Sequence, residues 1–162
     1  MIKKILLFLL ATFIIIQIFR PSRNNIHGSQ DKSADISAKH SVPMDIQMIV
    51  EASCYDCHSN KTIYPWYYNI QPVGWWLDYH ISEGKKELNF NEFSNYSLRK
   101  QYHKMEEIEE LVEKNEMPLR SYTFIHTDSK LSQEDKEKLI NWAKGIRDKM
   151  KAIYPADSLL KK

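Results

Sequence analysis

The fold class is decided by residues 97–115, SLRKQYHKMEEIEELVEKN. Apolar side chains recur there at intervals of three and four, the spacing of one buried face of an α-helix. They are Leu98, Tyr102, Met105, Ile108, Leu111 and Val112. We therefore expect a long amphipathic helix that ends before Met117-Pro118, because a proline disfavours the helical conformation of the residue before it.

Helical spacing continues on both sides of this stretch. On the C-terminal side, Ser132 and Asp135 have the spacing of a capping box, and the apolar positions that follow predict another long helix. On the N-terminal side, short helices are predicted between Pro43 and the cysteine pair and over residues 75–84. The sequence shows no alternating strand pattern, so the predicted fold class is all-α.

Composition limits the classes of function. The 162 residues are enough for one domain of ordinary size. The formal net charge is +2, and the first twenty residues hold three cations and no acid, so the rest is nearly neutral. A nearly neutral body lacks the basic surface that binding to nucleic acid requires. The two cysteines, Cys54 and Cys57, are too few for a disulfide scaffold.

The N-terminal segment is predicted to anchor the chain. A basic head with Lys3 and Lys4 precedes fifteen uncharged residues, ILLFLLATFIIIQIF (5–19), an order typical of a secretory signal. No small-residue cleavage site follows, which favours an uncleaved anchor over a cleaved signal. We expect a single transmembrane helix over 1–20 in the inner membrane, with the rest periplasmic. A flexible linker over 21–42, a domain over 43–152 and a tail over 153–162 complete the predicted organisation.

The chemistry centres on Cys54-Tyr55-Asp56-Cys57-His58, a C-x-x-C-H motif. This is the attachment signature of c-type haem, in which two thiols one helical turn apart add to the vinyl groups. His58 would then supply the proximal ligand of the iron. A thioredoxin-type motif would follow a strand, and a structural zinc site needs four ligands. The thioredoxin and zinc interpretations are therefore disfavoured, while a simple disulfide between the two cysteines remains an alternative. Haem c is the predicted cofactor.

Three blocks of sequence extend this motif: CYDCHSNKTIYPWYYNIQPVGWWLDYHISEGKKELNF (54–90), MPLRSYTFIH (117–126) and LSQEDKEKLINWA (131–143). Together they resemble the bacterial haem-binding domain family that carries C-x-x-C-H, which is itself similar to class I c-type cytochromes. The resemblance covers roughly residues 43–150. It implies a small, membrane-proximal, cytochrome c-like helical domain around a covalently attached haem. It implies no defined reaction.

The sixth ligand of the iron is predicted from position. Met117 follows the long helix, precedes Pro118 and carries a thioether, the distal ligand of many electron carriers. Its alternative role is packing where a helix ends. His80 is the alternative distal ligand, His126 is a weaker one, and His103 is expected to be solvated.

These observations predict a membrane-anchored monohaem c-type protein that transfers electrons to a redox partner protein and is not an enzyme. The alternative is a haem-based redox or gas sensor, or a ligand-binding module, in which Met117 can be displaced. A peroxidase would need an acid/base residue at an open distal site, and no residue of the sequence indicates one.

Overall fold

The computed structural model describes residues 1–23 and 32–160, and these ranges contain helices and no strand. The α-helices are α1 (Ile2–Ile16), α2 (Met44–Ser53), α3 (Tyr55–His58), α4 (Val73–Glu87), α5 (Leu98–Glu113), α6 (Arg120–Ile125), α7 (Gln133–Ile153) and α8 (Ala156–Leu159). Short 3-10 turns lie at Lys32–Ala34, Ile36–Ala38, Trp66–Asn69, Phe90–Asn95 and Thr127–Ser129. The prediction of an all-α fold is confirmed.

The core forms where α5 packs against α7. The buried face of α5 meets the buried face of α7, and Met105 and Ala143 are fully enclosed. The predicted cap of α7 is present: the Ser132 hydroxyl accepts from the Asp135 backbone N–H, and the Asp135 carboxylate accepts from the Ser132 backbone N–H. This reciprocal pair satisfies two donors that the first turn of a helix otherwise leaves unpaired.

The predicted transmembrane helix is wrong. Among residues 1–23 and 32–160, no helix is both long enough and apolar enough to cross a membrane. At about 1.5 Å per residue, the 15 residues of α1 span roughly 22 Å, less than the roughly 30 Å of a hydrocarbon core. The assignment to the inner membrane as a single-pass protein is therefore corrected as well.

The residues that follow α1 contact the region around the start of α4. The Gln17 amide donates to the Gln71 carbonyl at 3.0 Å and accepts from the Gln71 backbone N–H at 2.8 Å. The Trp75 indole N–H donates to the Phe19 carbonyl at 2.6 Å. The backbone of Phe19 is thus held beside the start of α4, while the side chains of Ile18 and Phe19 remain exposed.

The segment expected to be a linker, 21–42, is ordered over its second half. Ile36 is 2% exposed and belongs to the hydrophobic core. The Ser94 hydroxyl donates to the Asp35 carbonyl at 2.8 Å, and the Lys39 ammonium donates to the Ser94 carbonyl at 2.6 Å. Ile36 is a single buried residue at the start of a 3-10 turn, so the sequence shows no helical periodicity in this segment. Residues 24–31 lie outside the described residues.

The C-terminal boundary also differs from the predicted one at residue 152. Helix α7 continues to Ile153, and α8 folds back onto α5. Leu159 of α8 is 3% exposed and joins the core. Residues 153–160 are therefore part of the domain, and residues 161–162 lie outside the described residues.

Candidate functional site

The cysteine motif forms one turn of helix after a break. The backbone of Cys54 leaves the helical conformation at the end of α2, and α3 begins at the next residue. The N–H groups of Cys57 and His58 then donate to the Cys54 carbonyl at 3.2 and 2.9 Å. This turn places both thiols and the imidazole of His58 beside one cleft.

Both cysteines are free thiols, so the disulfide left open by the sequence is not formed here. Burial raises the pKa of Cys54 to about 12 and that of Cys57 to about 11. A reactive thioredoxin-type cysteine has a lowered pKa because neighbouring groups stabilise its thiolate. Within the described residues, no group of three or more His, Cys, Asp or Glu is placed to hold a metal ion, so a zinc site is not assembled at this pair.

The imidazole of His58 is held in one tautomer. Its Nδ1 lies 2.9 Å from the carbonyl oxygen of Leu88, and because that oxygen can only accept, Nδ1 carries the proton. Nε2 is then left without a proton and is able to bind a metal. Burial lowers the pKa of His58, although backbone contacts with Leu88 and Gly84 oppose this effect, so the ring is neutral near pH 7.

A cleft with two adjoining lobes opens beside His58. The space within them, including open solvent at their mouths, is about 780 and 1290 Å³, and apolar atoms form most of the lining. Six residues line both lobes: Ser53, Cys54, His58, Glu87, Met117 and Pro118. The first lobe is also lined by Cys57, His80 and Tyr122, and the second by side chains of α5. The structure thus brings the cysteine motif and Met117 to one cavity.

The end of α5 positions Met117 in this cavity. Asn115 has a φ of 58°, the left-handed conformation that ends many helices. The N–H groups of Asn115 and Glu116 donate to the carbonyls of Val112 and Leu111 at 3.1 and 2.9 Å. This is the Schellman arrangement, which satisfies carbonyls at a helix end and reverses the chain. Met117 follows the reversal directly and is half-buried against the cleft.

The other candidate ligands occupy different positions. His80 lines the first lobe, and its Nδ1 donates to the Trp76 carbonyl at 2.8 Å. His126 is not among the described residues that line either lobe; its Nε2 lies 2.6 Å from the Tyr67 hydroxyl. His103 is exposed, as expected, yet it borders the second lobe. The structure therefore places Met117 and His80, but not His126, among the described residues that line the cleft.

Comparison with known proteins supplies the family. A family model described as a haem-binding domain matches residues 11–145. The chain belongs to the haem-binding domain family. Neither curated proteins nor solved structures show a significant match to it. The similarity to class I c-type cytochromes stays a prediction.

The residues of this haem-binding domain fit a haem. An apolar cleft suits the flat faces of a porphyrin, and an unprotonated imidazole nitrogen together with a thioether or a second imidazole suits its iron. His58 would hold the iron from one side, and Met117 or His80 lies at the same cavity. The two thiols border the first lobe within one helical turn of each other, the spacing that attachment to a haem requires.

Sequence reasoning missed several residues of the site. Gly84 of α4 lies so close to Cys57 that a Cβ on it would sit 2.6 Å from the Cys57 carbonyl oxygen. Lys104 is buried at the edge of the second lobe and pairs with Glu87 at 2.8 Å and Glu107 at 2.6 Å. Burial alone would lower the pKa of Lys104, but these two hydrogen bonds raise it, so it stays charged. Lys104 lies beside the apolar positions of α5 and is not one of them, so the apolar spacing gave no signal that it is buried.

Proposed function

We propose that this haem-binding domain is a monohaem c-type electron-transfer protein that exchanges electrons with a partner protein and catalyses no reaction of its own. The main support for this proposal is one observation. In a chain of the haem-binding family, one cavity is bordered by Cys54, Cys57, His58 and Met117. Bound haem supplies an iron that alternates between the ferrous and ferric states. The chain holds that group, orients its ligands and limits access to it.

Each of these residues has a separate role in the proposal. The thiols of Cys54 and Cys57 add across vinyl double bonds, sulfur to one carbon and the thiol proton to the other, so attachment needs no oxidant. The Leu88 carbonyl keeps the proton of His58 on Nδ1, so that Nε2 is the ligand. Met117 is the distal ligand, and a thioether there favours ferrous iron and raises the reduction potential relative to a second histidine.

A second candidate function is a haem-based sensor in which an incoming small molecule displaces Met117. One observation favours it: none of the six residues described for α6, the helix that follows Met117, is buried. A segment that buries little apolar surface opens at a low free-energy cost. The two functions differ in how readily Met117 leaves the iron.

A Met117→Ala variant tests the proposal in protein produced with the cytochrome c maturation machinery. We expect the ferric wild type to show the weak near-infrared band of methionine-ligated haem. The variant should lose that band, have a lower reduction potential and bind carbon monoxide faster in the ferrous state. His80→Ala tests the alternative ligand and should keep the near-infrared band. Loss of the coordination signature in His80→Ala with no change in Met117→Ala would contradict the assignment.

A further inference from the structure

Helix α6 needs an anchor that its apolar side chains do not provide. It begins at Arg120, three residues after Met117, and none of the six residues described for it is buried. Its position therefore depends on polar contacts. Because only Pro118 and Leu119 separate Met117 from this helix, whatever holds α6 also limits the movement of Met117.

One such contact comes from inside the cysteine motif. The Tyr122 hydroxyl of α6 donates to Asp56 Oδ2 at 2.7 Å, a contact between residues 66 apart in the sequence. The other oxygen of this carboxylate, Oδ1, accepts from the Ile63 backbone N–H at 2.9 Å. Asp56 thus joins the motif, the loop after it and α6. A hydrogen bond to a charged acceptor is about twice as strong as a neutral one.

Neighbouring groups keep Tyr122 in place to donate. Burial raises the pKa of its hydroxyl, and the Asp56 carboxylate raises it further, although a contact with Ser129 opposes them, so the proton stays on Tyr122. The ring stacks on His126 with centroids 4.4 Å apart. The Ser129 hydroxyl lies 3.3 Å from that of Tyr122 and donates to the Ala52 carbonyl at 2.6 Å. Both Asp56 and Tyr122 also line the first lobe of the cleft.

We propose that Asp56 and Tyr122 are positioning residues whose hydrogen bond clamps α6 to the cysteine motif and so keeps Met117 at the iron. This inference rests on the proposed role of Met117 as distal ligand. Neither residue is a ligand itself. The clamp controls how often the Met117 segment opens, and therefore how readily an external molecule reaches the distal position.

Tyr122→Phe is the test, because it removes only the hydroxyl and keeps the ring that stacks on His126. Tyr68→Phe is the matched control: the Tyr68 hydroxyl donates to Asp78 at 3.1 Å, also a carboxylate, but neither residue is among those described as lining the cleft. Ferrous proteins with fully attached haem are mixed with carbon monoxide in a stopped-flow instrument, and the ferric near-infrared band is recorded in parallel.

We expect Tyr122→Phe to bind carbon monoxide about ten- to hundred-fold faster than the wild type, the range that loss of a hydrogen bond to a charged group allows. Its near-infrared band should weaken, while Tyr68→Phe matches the wild type. Asp56→Asn keeps the shape of the side chain but removes its charge, so carbon monoxide binding should accelerate less than in Tyr122→Phe. Asp56→Asn replaces Tyr122→Phe as the test if the latter loads haem poorly. Wild-type rates in both Tyr122→Phe and Asp56→Asn would overturn the clamp.

Met117→Ala separates failure of the clamp from failure of the proposed function. If Met117→Ala binds carbon monoxide fast and Tyr122→Phe remains as slow as the wild type, Met117 is the ligand and the clamp is wrong. If the wild type already binds carbon monoxide as fast as Met117→Ala and lacks the near-infrared band, Met117 is not the ligand. The clamp is then wrong as well, because it depends on that ligand.

Discussion

Replacing Gly84 by alanine should push α4 away from the cysteine motif. A Cβ at this position would lie 2.6 Å from the carbonyl oxygen of Cys57 and 3.1 Å from its Cβ. Cβ atoms essentially never lie within 3.0 Å of a non-bonded heavy atom, and the obstructing oxygen belongs to the backbone. The two helices must therefore separate by several tenths of an ångström, which strains the turn that carries both thiols.

The size of the effect follows from a comparison with Gly145 in α7. A Cβ at Gly145 would meet no described atom within 4 Å. Alanine in a helix interior is favoured over glycine by about 0.5–1 kcal/mol, and both variants gain this term. Only Gly84→Ala adds overpacking, which costs about 1–3 kcal/mol. The free energies of unfolding of the two variants should therefore differ by about 1–3 kcal/mol.

Thermal unfolding and haem content measure this difference. At about 2–4 °C per kcal/mol for a chain of this size, Gly84→Ala should melt about 2–12 °C below Gly145→Ala. Gly84→Ala should also carry less attached haem when both are produced with the maturation machinery. Equal melting temperatures and full haem content in both variants would refute the close approach of α4 to Cys57.

Three further predictions concern stability. Leu139→Ala should lower the free energy of unfolding by about 2–5 kcal/mol in chemical denaturation, because Leu139 is 1% exposed in the seam between α5 and α7. Ser132→Ala should cost about 1 kcal/mol in the same assay through loss of the α7 cap, and an unchanged midpoint would contradict the capping geometry. Burial lowers the pKa of His40, so the unfolded chain binds a proton at this residue more readily than the folded chain. The free energy of unfolding should therefore fall as the pH drops below about 6.5. His40→Gln should flatten this part of the plot of unfolding free energy against pH.

Sequence reasoning succeeded where the deciding contacts are local. The apolar spacing of α5 and the capping box of α7 each depend on residues within a few positions of one another. The turn of helix that carries Cys54, Cys57 and His58 is local as well. These elements were predictable because the residues that decide each of them lie in one continuous stretch of sequence.

The remaining features depend on residues far apart in the chain. Gln17, directly after α1, forms hydrogen bonds with Gln71, and no spacing rule connects two glutamines 54 positions apart. The approach of Gly84 to Cys57 depends on how two helices cross, which a helical pattern does not specify. The contact between Asp56 and Tyr122 joins two polar residues. The spacing of apolar residues identifies only the buried face of a helix, so it could not predict this contact.

Covalent haem at Cys54 and Cys57 is tested most directly by haem staining after denaturing electrophoresis. Protein produced with the cytochrome c maturation machinery should retain haem on the polypeptide under these conditions. Cys54→Ser and Cys57→Ser should each retain less, and the double variant should retain none. A wild-type band without haem, beside a maturation control that keeps its haem, would contradict attachment through this motif.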